Sequence, residues 1–181
     1  MKANTKKMVL NSILLAIGLL LHQLMPALGL PIEPDMALAM LFVVMILNKG
    51  DYKTCLISGI ITGVFTALTT KFPGGQLPNV LDKVVTVNLM YAFMMISYKL
   101  PFVKNLENVK KDTVVTGIML PVGTLLSGSV FLYSASIIVG LPGSFTALFM
   151  AAVVPATALN LVAGLFLFKI INMSLKRASR I

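Results

Sequence analysis

Residues 69–83 read Thr69-Thr70-Lys71-Phe72-Pro73-Gly74-Gly75-Gln76-Leu77-Pro78-Asn79-Val80-Leu81-Asp82-Lys83, a polar, charged, Gly- and Pro-bearing block in a sequence that is otherwise nearly all hydrocarbon. Apolar sequence runs up to it from Cys55 and away from it from Val84. A bilayer-length helix on either side sets the block at a membrane surface or just beneath it. Two prolines and two glycines do not continue a helix, which predicts a shaped turn reaching to Lys83. Lys71, Gln76, Asn79, Asp82 and Lys83 can each hold a polar ligand, and such a cluster at membrane depth is expensive and points to function.

Composition gives the class. Of 181 residues, 57% are hydrophobic and only 12% charged, and the mean hydropathy is +0.94. A soluble domain of this size cannot hide that much apolar surface, so the excess faces lipid. With one cysteine, Cys55, and one histidine, His22, neither a disulfide nor a metal cluster is expected, and no cofactor is implied. No G-x-x-x-x-G-K-[ST] loop is present to cradle a nucleotide, and no nucleophile elbow, His/Cys/Asp cluster or paired membrane carboxylates suggest an enzyme.

Apolar windows predict six spans in a single all-α transmembrane domain covering residues 1–181, near 8–28, 35–47, 55–70, 81–100, 113–140 and 144–171. The first is not read as a secretory signal, because Pro26 and Gly29-Leu30-Pro31 end it without a small-residue cleavage site. The second is short: a 12-residue helix over 36–47 is about 18 Å long against a hydrocarbon core of about 30 Å. It must start at the interface near Pro34, tilt little, or be sheltered by its neighbours. Leu141-Pro142-Gly143 reads as a tight hairpin between the last two spans.

All of the 15 Lys and Arg except Lys71 and Lys83 fall before the first span, after the second, after the fourth, or at the end of the chain. By the positive-inside rule both termini are cytoplasmic, and the net charge of +9 marks topology and contact with lipid phosphates, not nucleic acid. The outer loops then hold Glu33, Asp35, Lys71, Gln76, Asn79, Asp82 and Lys83, which predicts a capture site open to the outside. The sequence shows neither an inward relay of membrane Asp, Glu or His nor matched broken helices in two inverted halves, so nothing in it drives a solute inward unaided.

These features together resemble the substrate-binding (S) component of an energy-coupling factor (ECF) transporter. More narrowly, Pro34-Asp35-Met36-Ala37-Leu38-Ala39-Met40 and the block from Leu68 to Lys83 are similar to the bacterial tryptophan transporter family. The resemblance implies a multi-pass protein of the bacterial cell membrane that binds L-tryptophan and works with a transmembrane coupling protein and two ATPase subunits. Other readings are an S component or stand-alone facilitator for another aromatic or zwitterionic solute, and a non-transporting membrane scaffold.

Tryptophan needs a cation for its carboxylate, an anion for its ammonium, an aromatic slot and an acceptor for its ring N–H. Lys71 and Lys83 offer the first; Asp35, Glu33 and Asp82 the second; Phe72, Tyr91 and Tyr133 the slot; and Asn79, Gln76, Asn88 and Asn160 the acceptor. Gly74 and Gly75 shape the turn around them. S components commonly use a polar residue of the last helix, which favours Asn160. Each has a structural alternative: Asp82 and Lys83 as the start of the fourth helix, Lys71 as an interfacial anchor, Asp35 as an N-cap, and Asn160 and His22 as helix-to-helix contacts. Ser12 and Ala16 form a small-xxx-small pair on the first span, where the S-component resemblance places docking to the coupling protein. Gly59 and Gly63 have the same spacing and read as internal packing.

Overall fold

The computed structural model describes residues 2–24 and 35–178. The expected end of the first span at Pro26 and Gly29-Leu30-Pro31, and the acid Glu33, lie outside them. Among the described residues the chain is helical throughout, with α1 Lys2–Leu24, α2 Met36–Leu47, α3 Tyr52–Thr69, α4 Gln76–Ser97, α5 Pro101–Lys104, α6 Asn108–Ile138, α7 Phe145–Leu148 and α8 Val154–Ala178. A single π turn, Phe149–Val153, joins α7 to α8 without a break. It ends two residues before Pro155, whose missing N–H leaves the carbonyl four residues back without its helical donor.

Local chemistry sets the starts of the helices. Asp35 caps α2 by accepting from the Leu38 N–H at 2.9 Å. Asp51 caps α3, taking bonds from the Thr54 N–H at 3.1 Å and the Thr54 hydroxyl at 2.7 Å. Ser144 caps α7 from the Ala147 N–H at 3.2 Å. The turn expected to reach Lys83 is shorter than predicted, for α4 already begins at Gln76. Pro78 is its third residue, where an N–H has no partner within the helix, so the ring costs little there. Asn79, Asp82 and Lys83 are therefore helical, and with Thr86 they follow a 3-4 spacing that puts them on one buried face.

Five helical stretches are long and apolar enough to cross a membrane: α1, α3, α4, α6 and the continuous run from Phe145 to Ala178. The short helix α2 solves its length problem by shelter. Every residue from Met36 to Ile46 is buried, with α1, α3, α6 and α8 packed around it. A helix apolar on all sides belongs in such a position. Helices α3 and α4 lie close because Gly59 faces Val87; a Cβ there would stand 2.6 Å from the Val87 Cβ. The Gly59/Gly63 pair is thus internal, as its spacing suggested.

The two ends of the bundle differ in chemistry. At one end Lys7 reaches Asp51 at 3.2 Å, Lys49 pairs with Asp112, and the Tyr98 hydroxyl donates to Asp112 at 2.6 Å. These contacts gather the start of α1, the α2–α3 turn, the end of α4 and the start of α6. At the other end lie His22, Asp35, the turn at residues 70–75 and the hairpin at 139–143.

Candidate functional site

The second end holds a cavity of about 660 Å³. Five helices and two turns supply its wall. His22 comes from the last part of α1, Asp35 from the cap of α2, and Asn79, Asp82 and Lys83 from the first two turns of α4. Thr124, Ser127 and Phe131 come from one face of α6, and Asn160 from α8. Lys71 and Phe72 close one side of the mouth, Leu141 and Pro142 the other.

Lys83 is the electrostatic centre. Its side chain is 2% exposed, with Nζ 2.7 Å from Asp35 Oδ2, in contact with Asp82 Oδ2, and 3.3 Å from Ser127 Oγ, to which it donates. The Ser127 hydroxyl donates to Asp82 Oδ2 at 2.7 Å, and the Thr86 hydroxyl donates to Asp82 Oδ1 at 2.8 Å. Both Asp82 oxygens thus have partners from within the protein. Asp35 is less enclosed, at 17% exposure against 1% for Asp82, and its Oδ1 faces His22 Nδ1 at 3.6 Å, too far for a hydrogen bond. Two carboxylates therefore flank one ammonium, and a buried cluster of this kind is held only by complete pairing.

Much of the remaining wall is apolar and partly aromatic. Phe72 packs edge-on against Phe131, with ring centroids 5.4 Å apart at 85°. The turn carrying Phe72 is fixed at both ends. Gly75 N–H donates to the Phe72 carbonyl at 2.9 Å, and the Asn79 amide donates to the Gly75 carbonyl at 2.8 Å. Gly74 has φ +72°, the left-handed region, and packs on Val139 of the opposite hairpin; a Cβ at Gly74 would lie 2.6 Å from Val139 Cγ1. The two turns thus meet across the mouth.

Of the residues singled out in the sequence, Asp35, Lys71, Phe72, Asn79, Asp82, Lys83 and Asn160 line the cavity. Gly74 and Gly75 shape the turn without lining it, and Gln76 is exposed on the first turn of α4. Tyr91 pairs edge-on with Tyr52 at 5.1 Å, Asn88 accepts from the Tyr52 hydroxyl, and Tyr133 is 66% exposed, so none of these three joins the slot. Asp82 and Lys83 are the seventh and eighth residues of α4, which removes their reading as helix-start residues. Asp35 is both a cap and a cavity residue. The sequence showed no paired membrane carboxylates, yet folding pairs Asp35 and Asp82 around Lys83. His22, Thr124, Ser127 and Phe131 escaped notice as site residues. Thr124, Ser127 and Phe131 do share a 3-4-7 spacing with a single polar edge, the one signal present. Ser12 and Ala16 are exposed on the outer face of α1.

Comparison with known proteins places these residues in context. The sequence profile described as "Tryptophan transporter TrpP" matches residues 4–176. A probable tryptophan transport protein of Clostridium perfringens is 51% identical, over 97% of this chain and 96% of its own length. Proteins of the same description from Clostridium acetobutylicum and Bacillus subtilis are 45% and 41% identical, each over 97% of this chain and over 97% and 95% of their own lengths. No solved structure matches the chain.

Proposed function

Because the chain belongs to the tryptophan transporter TrpP family, we propose that its cavity captures L-tryptophan on the outer side of the membrane, as the substrate-binding component of an ECF transporter. The chain is a multi-pass bacterial membrane protein whose family carries out transport, not enzymatic catalysis. The distribution of Lys and Arg supports both termini in the cytoplasm and six crossings, with α2 the sheltered sixth. In that orientation the cavity opens outward.

The observation that carries this reading is the charge count in the buried cluster of the cavity wall. There Asp35 and Asp82 together exceed Lys83 by one negative charge, while Lys71, the wall's other lysine, stands at the mouth. A cationic amine completes the count, and Asp35, the less enclosed acid, is its partner. Lys83 is already shared by two carboxylates, and Lys71, the cation at the mouth, is the proposed partner of the substrate carboxylate. Phe72 and Phe131 receive the ring. The volume falls within the roughly 300–1,000 Å³ of small-molecule sites. Energy for uptake comes from the coupling protein and its two ATPase subunits, and the exposed Ser12 and Ala16 form the docking stripe on α1.

Calorimetry on the purified chain tests the capture step. L-Tryptophan is expected to bind far more tightly than phenylalanine or leucine. Tryptamine, which keeps the amine, is expected to retain more affinity than indole-3-propionate, which lacks it. Equal heats for tryptophan and leucine, or no heat with tryptophan, would sink the reading.

A further inference from the structure

Among the described residues only two buried side-chain polar atoms lack a hydrogen-bond partner, His22 Nδ1 and Asn160 Oδ1. Both residues line the cavity. Orphaned buried polar atoms are uncommon, and two on one cavity wall mark places where a ligand completes the bonding. For Asn160 the chemistry is definite. The residue is 0% exposed, and its Nδ2 donates to Thr124 Oγ1 at 3.2 Å. Thr124 has a single hydroxyl proton, which it gives to the Leu120 carbonyl at 2.8 Å. Only a lone pair remains for Asn160, so rotating the amide would set two acceptors against each other. The hydroxyl therefore fixes the amide with Oδ1 as the unmatched atom, and what it lacks is a donor.

The other amides suggested by the sequence do not meet this requirement. Gln76 and Asn88 stand outside the cavity, and Asn88 Oδ1 already accepts from Tyr52. Asn79 is held by its amide N–H bond to the Gly75 carbonyl, and its Oδ1 is not among the buried atoms left without a partner. Asn160 also sits at a suitable place. It holds Thr124, while the Lys83 cluster holds Ser127, one helical turn further along the same face of α6. A single ligand with a charged end and a flat ring reaches both.

We propose that Asn160 Oδ1 accepts the ring N–H of the bound amino acid and is the residue that selects an N–H-bearing bicyclic ring over a plain aromatic one. This rests on the capture reading given above. Thr124 acts through Asn160, as the group that keeps its amide turned. The acceptor is closed to water, so no solvent competes for the bond once made. A ring of equal shape without the donor leaves the acceptor buried and unmatched.

The chain contains no Trp, so bound tryptophan is followed by its own emission and other ligands by competition. The probes are L-tryptophan, 1-methyl-L-tryptophan and L-3-benzothienylalanine, in which sulfur replaces the ring N–H. The wild-type protein is expected to bind benzothienylalanine roughly tenfold to a hundredfold more weakly than tryptophan. In Asn160→Leu that ratio is expected to collapse to within about threefold, chiefly through weaker tryptophan binding. Thr124→Val, which frees the amide to turn, is expected to shrink the ratio while Asn160 stays in place. Wild-type protein that binds tryptophan and benzothienylalanine equally overturns the assignment and leaves capture standing, whether or not either variant folds. An undiminished ratio in Asn160→Leu also overturns it. Wild-type protein that binds no tryptophan overturns capture and assignment together.

Discussion

Lys83, Asp35 and Asp82 form one electrostatic unit, but their surroundings separate their roles. Asp82 receives bonds from Ser127 and Thr86 as well as Lys83, and almost none of it is exposed. Its removal strips Lys83 of a partner inside the bundle. Asp82→Asn is therefore expected to lower folded yield and thermal midpoint in detergent, with Lys83→Ala worse because it leaves two acids unpaired, at a cost of about 3–5 kcal/mol. Asp35 is partly open to the cavity, and Asp35→Asn keeps the cap on α2 through its amide oxygen. Its expected effect is a loss of tryptophan affinity of tenfold or more with a smaller change in stability. Lys71→Ala, at the mouth, is expected to weaken binding about tenfold, with a smaller effect on folding than Asp82→Asn. Calorimetry paired with thermal unfolding distinguishes these outcomes; an Asp35→Asn variant with full affinity removes that carboxylate from the site.

At the scale of elements, the mouth depends on two turns that touch. Gly74 combines a left-handed backbone with a contact on Val139, whereas Gly140, at φ +86°, has open space where a Cβ would sit. Gly140→Ala thus carries a conformational cost alone, and Gly74→Val carries the same cost and a clash besides. Stopped-flow tryptophan emission is expected to show slower entry for Gly74→Val and near-normal entry for Gly140→Ala; equal rates would show that the turn does not gate the cavity. At the opposite end, the Thr54 hydroxyl and N–H, with Lys7, hold the Asp51 carboxyl down at about 2 from its ordinary 3.8. A depressed carboxylate stabilises the folded state above pH 3.8 and loses that contribution as pH falls toward 2. Asp51→Ala is expected to lower the thermal midpoint by a few degrees at neutral pH. The difference from wild type should narrow between pH 4 and 2, and a gap constant with pH would place the effect elsewhere.

For the whole molecule, the exposed face of α1 is the feature that reaches beyond the bundle. Ser12 and Ala16 lie on it among Met8, Ile13, Ile17 and Leu20, all well exposed. In proteoliposomes the chain alone is expected to bind tryptophan without accumulating it. Uphill uptake is expected once the coupling protein, the ATPase subunits and internal ATP are added. Ala16→Leu is expected to weaken assembly with that module and to leave binding intact, because the larger side chain holds helices apart. Accumulation by the chain alone under a proton or sodium gradient would establish a self-sufficient transporter instead.

The sequence by itself determined the membrane class, the helix order, the separation of a basic end from an acidic and polar one, and the resemblance to a tryptophan transporter family. These depend on hydropathy, charge placement and local motifs, which act over one helix or one turn. It also showed Asp35, Lys71, Phe72, Asn79, Asp82, Lys83 and Asn160 as site candidates, since polar groups in so apolar a chain stand out. It misjudged the extent of the turn, because Pro78 reads as a breaker until its place in the first turn of α4 is known. Tertiary structure alone decided that Lys83 lies between Asp35 and Asp82, 48 positions along the chain from one acid and adjacent in sequence to the other. It alone made His22, Thr124, Ser127 and Phe131 cavity residues, for a serine or threonine in an apolar helix ordinarily bonds its own backbone. Which face of α6 and α8 turns inward is set by packing around α2, a relation between distant helices that no local pattern records.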